Sequence, residues 1–391
     1  MREIIIAGAG YAGLRAALDL GAAQRKGQLG EARLTVVDRN DYHQVVTWLH
    51  DVAAASVEAE AARIPLSRLL GDGTLNVMQG DVRGLAPKEQ RILLMDGTLL
   101  SYDRVVVALG SETLWPPVPG LRDHALPLRW WNEAFALREA IMTSFADAAA
   151  TQDAAERRRL MTIVVVGGGY TGCQLAGELS HWLPALADQF GLSIFDITLR
   201  QIEAQPRLVP NWQPQLSSQA ERTLRQKGVQ LLLDSPLAEV GPTHFRIGER
   251  PPMPYGVMAW TGGVQAPALL AESGFRTGAQ GRVVVDDYLR AEGFPTAYVA
   301  GDCALWMDGE KPLPATASHA LRQGEYVARS LQREFHGEPL GRYEPTKLGL
   351  VMSLGGNDAV GTALGVPLYG PTAGLLKEGI ESWYLSTIGV K

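Results

Sequence analysis

The chain carries the same strand, glycine turn and helix signature twice, and that repetition narrows its fold more than any other feature. The second copy is the cleaner one. Residues 162–179 read TIVVVGGGYTGCQLAGEL. The apolar, β-branched run at 163–166 predicts a strand buried on both faces. Gly167, Gly169 and Gly172 follow at Gly-x-Gly-x-x-Gly spacing and open a helix. The first glycine permits a tight turn, the second lets the backbone approach a pyrophosphate, and the third lets helix and strand pack closely. Phosphates would rest on the free N–H groups and positive dipole end of that helix. The first copy stands at the start of the chain, where EIIIA at residues 3–7 runs into Gly8, Gly10 and Gly13 and then an apolar helix. The next strand of the first unit, 34–37, ends on Asp38, and that of the second, 195–202, ends on Glu203. An acid at that place is the expected partner of a ribose hydroxyl pair.

The remaining segments fill in around these units. Short strands are expected at 75–82 and 91–94, with Asp96 and Gly97 turning into a third at 99–100. A buried strand at 104–107 closes on Gly110. The proline-rich stretch 115–120 predicts a crossing between domains. Residues 130–150 read as a helix; 231–233, 245–247 and 256–260 read as strands. The chain would then turn out of the second domain at 261–263, and strands at 282–286 and 297–302 would return to the first. A helix at 317–331, strands at 348–354 and 359–360, and a last helix at 374–388 complete the chain. The expected fold is α/β with two Rossmann-like, three-layer ββα domains, the second inserted in the first. The boundaries are 1–118 and 266–340 for the first domain, 119–265 for the second, and 341–391 for a small C-terminal segment.

Composition excludes several other classes. The net charge is −6, which does not suggest a nucleic-acid partner. The two cysteines, Cys173 and Cys303, form no C-x-x-C pair, so neither a metal site nor a redox disulfide is expected. Cys173 directly follows the third glycine and is read as a packed side chain. The chain enters a strand at Ile4 without a signal-peptide pattern, and no apolar run is long enough to span a bilayer. A reducing, cytoplasmic setting is expected.

Two dinucleotide folds in one chain argue for two nucleotides facing each other, and the simplest chemistry is hydride transfer from a nicotinamide to a flavin. Eight segments carry a family resemblance: DRNDYH at 38–43, VALGS at 107–111, the 167–179 stretch, EAQPRLVP at 203–210, WTGGV at 260–264, GDCA at 301–304, PATA at 314–317 and the 348–361 tail. Together they resemble FAD-dependent pyridine-nucleotide oxidoreductases, most closely type II NADH:quinone oxidoreductase. The resemblance implies that Gly8, Gly10 and Gly13 hold the FAD pyrophosphate and Asp38 its adenosine ribose. Arg39, Val82, Ala108, Gly110 and Gly301 would line the same site, with Asp302 on the ribityl-phosphate side and Ala317 near the isoalloxazine. Gly167, Gly169 and Gly172 would hold the NADH pyrophosphate and Glu203 its ribose, with Gly262 in the same site. A carboxylate at Glu203 favours NADH over NADPH, while Arg200 and Arg207 nearby pull the other way.

The implied acceptor is a quinone or another small electron acceptor; a homodimer and peripheral contact with the cytoplasmic face of the membrane are left open. Gln174, Ser318, His319 and Lys347 would serve the chemistry. Gln174 stands where the resembled family carries a glutamate, and Ser318 and Arg322 where it carries glutamines. A glutamine cannot shuttle a proton as a glutamate can. His319 is either a replacement proton donor or a packed histidine, and Lys347 either a cation near the flavin or a surface lysine. His43 is read as structural. Two rivals follow from Gln174 and Ser318: a soluble NADH-dependent reductase of a small electron carrier, and a redox-sensing flavoprotein with little turnover. The last helix places Leu375, Leu376, Ile380, Trp383, Tyr384 and Ile388 at helical spacing, to dock on the protein or on a membrane surface.

Overall fold

A computed structural model describes residues 1–346 and 349–390. Lys347 therefore lies outside the described residues. The two glycine units build two parallel sheets with the same winding. The first sheet runs, edge to edge, Asn76–Gln79, Ala32–Asp38, Arg2–Ala7, Arg104–Val107 and Phe294–Val299, with Arg290–Ala291 antiparallel at the far edge. The second runs Gln230–Leu232, Thr198–Ile202, Thr162–Val166, Val257–Trp260 and Leu126–Pro127, all parallel. In each, the strand before the glycines is central, so its side chains must be apolar on both faces.

Alternation along those central strands sorts the layers. Ile4 and Ile6 pack with Ala16, Leu20, Val327 and Leu331 of the Tyr11–Arg25 and Ala317–Phe335 helices. Ile5 and Ala7 point the other way, to Val82, Leu85 and Ile92 of a small antiparallel sheet, Val82–Ala86, Arg91–Leu94 and Leu99–Ser101. The second sheet repeats the scheme. Ile163 and Val165 meet the Trp131–Ala150, Tyr170–Gln189 and Pro214–Gln226 helices, whereas Val164 and Val166 meet Val240, Phe245 and Ile247. The chain crosses between the sheets as a paired ribbon: Glu112–Thr113 runs antiparallel to Val264–Gln265, and Trp260 Nε1 donates to the Leu114 carbonyl at 2.8 Å.

Several local expectations shift. The strand before Glu203 begins at Thr198 rather than Phe195, because Ser193 accepts from the Phe195 amide and closes a turn, leaving Phe195 91% exposed. Phe294–Val299 joins the first sheet as expected, but Val283–Val284 forms a separate two-stranded sheet with Ala304–Leu305, with an isolated bridge from Val283 to Thr277. The C-terminal hairpin gains a third strand, Val366–Tyr369, beside Gly349–Ser353 and Ala359–Ala363. The last helix runs Gly370–Thr387, longer than expected, with Pro371 in its first turn. Two short helices that carry no clear periodicity, Leu49–Ala53 and Leu66–Leu70, follow the Tyr42–Gln44 strand and the Arg63–Pro65 strand it pairs with. The hairpin rests on the second domain's long helix: a side chain at Gly177 would strike the Leu354 backbone.

Gly324 marks a close helix crossing, since a β-carbon there would run into the carbonyl of Ala12. Gly324→Ala should lower unfolding stability by about 1–3 kcal/mol through overpacking. Gly379→Ala, on an exposed helix position with open space around it, should be neutral or slightly stabilising. Thermal unfolding of both variants checks this; equal losses would contradict the packing argument.

Candidate functional site

Each glycine loop is tied by the acid at the end of the next strand. Asp38 Oδ2 accepts from the Ala9 amide at 2.6 Å and Oδ1 from the Asn40 amide at 2.8 Å. Glu203 Oε2 accepts from the Gly168 amide at 2.5 Å and Oε1 from the Gln205 amide at 2.7 Å. Ala9 and Gly168 occupy the same place in the two loops. Burial still raises the Asp38 pKa above the usual aspartate range, opposed by those two amides. Gly8 and Gly167 have φ of +101° and +115°, a conformation that side chains disfavour. Gly13 and Gly172 back onto the carbonyls of Gly8 and Gly167, where a β-carbon would collide. Gly10 and Gly169 instead have open space where a β-carbon would stand.

These loops fit dinucleotides by a test independent of motif. Both helices that follow, Tyr11–Arg25 and Tyr170–Gln189, start without a side-chain cap and without an acid in the first turn. Their first N–H groups are left for an anion.

A cleft opens over the first loop. It is lined by Gly8, Gly10, Asp38, Arg39, Val82, Ala108, Gly110, Gly301, Asp302 and Ala317, so these expected residues converge. Gly13 lies beneath the loop as its packing contact. Gly301, with φ +81°, is held by Gln323, whose Oε1 accepts its amide at 2.6 Å. Asp302 Oδ2 accepts from Ser111 Oγ at 2.7 Å and pairs with Arg129 at 3.2 Å.

Arg129 and Trp130 are cleft residues that no sequence signal marked. The guanidiniums of Arg39 and Arg129 each lie over the Trp130 ring, 5.0 and 5.2 Å from its centroid. Glu133 fixes this corner by accepting from the amides of Arg129 and Trp130 at 2.7 and 2.9 Å.

The last helix closes on the first loop through His43, which is fully buried. Its Nδ1 lies 2.9 Å from the Ala9 carbonyl and its Nε2 2.7 Å from the Tyr384 hydroxyl. A carbonyl only accepts, so Nδ1–H donates and Nε2 accepts from Tyr384. Tyr384 also stacks on Tyr11, centroids 4.6 Å apart.

Of the four residues expected to serve the chemistry, Lys347 lies outside the described residues, and the other three are placed as follows. Gln174 is half-buried, its Nε2 3.2 Å from His50 Nε2. Ser318 is exposed at the start of the Ala317–Phe335 helix. His319, one residue on, is half-buried and held below its ordinary pKa by burial and by Arg282. Arg322 pairs with Glu325 at 3.0 Å and lies over Trp383 of the last helix. In the nicotinamide domain, Arg200 is engaged with Gln230 and Pro254, and Arg207 with Pro210, so both arginines are held by partners of their own. Gly262 leaves no room for a side chain against the Trp260 ring. Cys173 and Cys303 are fully buried, and burial pushes their thiols up to about 12 and about 11, so neither forms a nucleophilic thiolate near neutrality.

Burial lowers the His43 pKa to about 4 from 6.5, opposed by the Ala9 carbonyl. A depressed folded-state pKa means that the stability is present above about 6.5 and lost as pH falls toward about 4. Thermal midpoints should therefore decline across that window, and Tyr384→Phe should cost about 1–3 kcal/mol by leaving Nε2 unsatisfied. Glu203→Gln should raise the KM for NADH roughly tenfold, as loss of a charge-assisted tie on the loop, while FAD content stays unchanged. Titration of both against the parent protein checks them.

The family model described as pyridine nucleotide-disulphide oxidoreductase matches residues 2–324. The type II NADH:quinone oxidoreductase of Staphylococcus aureus (strain NCTC 8325 / PS 47) is 31% identical over 395 residues, covering 99% of this chain and 96% of that protein. Among solved structures, NDH2 from Plasmodium falciparum in complex with NADH superposes with a TM-score of 0.87 at 16% identity, covering 98% of this chain and 94% of that one. The sulfide:quinone oxidoreductase of Aquifex aeolicus follows the same fold, with a TM-score of 0.82 at 15% identity over 99% of this chain and 91% of that one. With two acid-tied glycine loops, a cleft over the first and kinship along its whole length, this chain belongs to the pyridine nucleotide-disulphide oxidoreductase family, in its type II NADH:quinone oxidoreductase branch.

Proposed function

We propose that this chain oxidises NADH and reduces a quinone, with FAD on the first glycine loop and NADH on the second. The observation that carries the reading is the acid-tied glycine loop, built twice in one chain whose full-length relative is a type II NADH:quinone oxidoreductase. FAD, when bound, accepts the hydride of NADH and gives two electrons to the acceptor.

The protein's own contribution is binding, orientation and exclusion of water. Gly10 and Gly169 let backbone N–H groups approach each pyrophosphate, on helix ends that carry no competing acid. Asp38 and Glu203 hold the loops in shape and present their remaining lone pairs toward a ribose. Arg39, Arg129 and Trp130 supply a stacked, cationic wall that suits the FAD diphosphate and adenine. Ala317 and Ala320, small residues at the start of their helix, keep the inner end of the cleft open for a flat ring. Arg200 and Arg207 are engaged elsewhere and Glu203 carries the negative charge, which supports NADH rather than NADPH.

We also propose peripheral contact with a membrane. Among the described residues no helix is long and apolar enough to cross one. The C-terminal segment nevertheless exposes Leu364, Val366, Tyr369, Leu375, Ile380 and Trp383 along its hairpin and last helix.

The test is stopped-flow mixing of FAD-loaded, NADH-reduced protein with menadione, with ferredoxin and with dioxygen. Reoxidation by the quinone should be fastest and support turnover of roughly 1–10³ s⁻¹. Faster reoxidation by ferredoxin, or slow reoxidation by all three, would replace this reading with a carrier reductase or a sensor.

A further inference from the structure

A trans peptide holds its carbonyl and its N–H in one plane, pointing in opposite directions, so a bond that fixes the carbonyl of one residue also aims the amide of the next. No peptide among the described residues is cis. In the first glycine loop the Ala9 carbonyl accepts from His43 Nδ1 at 2.9 Å. The amide opposite it belongs to Gly10, which lines the cleft and donates to no group among the described residues. The second loop has the same arrangement. The Gly168 carbonyl accepts from the Val209 amide at 2.8 Å, and the amide opposite it, that of Gly169, is likewise without a partner among the described residues. Gly10 and Gly169 are the middle glycines of the two motifs, the ones that let a backbone approach a pyrophosphate.

The two holders differ in kind. Val209 belongs to the stretch that runs on from Glu203, and it is buried with φ +44°, a left-handed conformation that a β-branched residue rarely adopts. The second loop is therefore held by backbone of its own domain. The first is held by a side chain, and that side chain depends on the end of the polypeptide. His43 is fully buried, and burial keeps its ring neutral near pH 7. With Nδ1–H engaged by Ala9, Nε2 can only accept, and it accepts from the Tyr384 hydroxyl at 2.7 Å. Tyr384 stands on the Gly370–Thr387 helix and stacks on Tyr11, which directly follows Gly10. Four residues further on, Arg15 Nη1 donates to the Thr387 carbonyl at 3.3 Å. The last helix thus touches both the loop's support and the helix that the loop opens.

We propose that His43 and Tyr384 are positioning residues of the FAD site, aiming the Gly10 amide at the FAD pyrophosphate, so that FAD binding and docking of the last helix reinforce each other. The inference rests on the reading that FAD occupies the first loop, and it deepens that reading. The bonds form one chain: Tyr384 O–H to Nε2, Nδ1–H to the Ala9 carbonyl, and Gly10 N–H to the anion. Each bond in such a chain polarises the next in the same sense, so loss of the hydroxyl weakens a donor two bonds away. The coupling is reciprocal: the factor by which a docked helix tightens FAD is the factor by which FAD tightens the helix. The carbonyl of the second loop is held without this helix, which gives the test an internal reference.

The test uses the full-length protein with FAD. Dilution of the FAD-loaded protein, followed by the return of free-flavin fluorescence, gives the FAD dissociation constant. Tyr384→Phe should raise it roughly 3- to 10-fold, the range of one lost hydrogen bond, and His43→Leu by at least as much. His43→Asn places an amide N–H where Nδ1–H stands and should recover part of the loss, a rescue that filling the space alone would not give. The KM for NADH should stay unchanged in every FAD-saturated variant. Phe145→Leu, in the apolar core of the second domain, lowers stability without touching either loop and should leave FAD binding unchanged. Saturating FAD should slow hydrogen exchange across residues 370–387 in the parent, and less so in Tyr384→Phe. If His43→Leu fails to fold, Tyr384→Phe and the exchange measurement decide alone. FAD binding that Tyr384→Phe leaves unchanged, equal losses in His43→Asn and His43→Leu, or equal FAD protection of 370–387 in parent and Tyr384→Phe overturns the proposal. A parent protein that takes up no FAD overturns the reading beneath it, and this inference with it.

Discussion

The carboxylate tie between the end of one strand and the middle of the glycine loop is the contact on which the rest depends. A loop of glycines is floppy by composition, and its N–H groups bind a pyrophosphate only if something holds their direction. Asp38 does this for Ala9, and Glu203 does it for Gly168. Because the tie links adjacent parallel strands, it also fixes where the helix begins and how closely it packs. A charge-assisted bond in a buried place is the strong kind, so the same carboxylate that suits a ribose also serves the architecture.

Much of this was legible in the sequence. Strand, glycine and helix order gave both sheets, and the ten cleft residues from Gly8 to Ala317 do converge over one loop. The legible part is local: periodicity, glycine spacing and the acid at a strand end are all short-range signals. The illegible part is long-range. Arg129 and Trp130 reach a cleft defined by Asp38 and Asp302 through tertiary packing, and nothing in their own neighbourhood announces it. His50 and Asp51 sit on a five-residue helix too short to show a period. Tyr384 meets His43 across 341 residues of chain. An apolar Phe195 reads as a strand residue, but a serine-capped turn exposes it and the strand starts at Thr198.

The last helix shows the same lesson in reverse. Its apolar spacing suggests a hydrophobic face turned inward, yet its inward face carries Lys377, Glu381 and Tyr384 alongside Ala373 and Ile388. Leu375, Ile380 and Trp383 face outward. The helix therefore delivers polar groups to two places at once: Tyr384 hydrogen-bonds the histidine under the first loop, and Lys377, paired with Glu381, acts on Asp51 through its charge. One element at the end of the chain thus braces the first glycine loop and places an ion pair on its own inward face, so polar residues occupy positions that packing alone would fill with leucine.

The central claim is that this chain holds FAD and NADH so that a hydride can pass between them. Anaerobic titration of the FAD-loaded protein with NADH, followed at the visible flavin band, tests it most directly. The account predicts that the band is lost in proportion to added NADH and saturates at one equivalent per flavin. A protein that takes up no FAD, or a flavin band that NADH leaves unchanged, would contradict it.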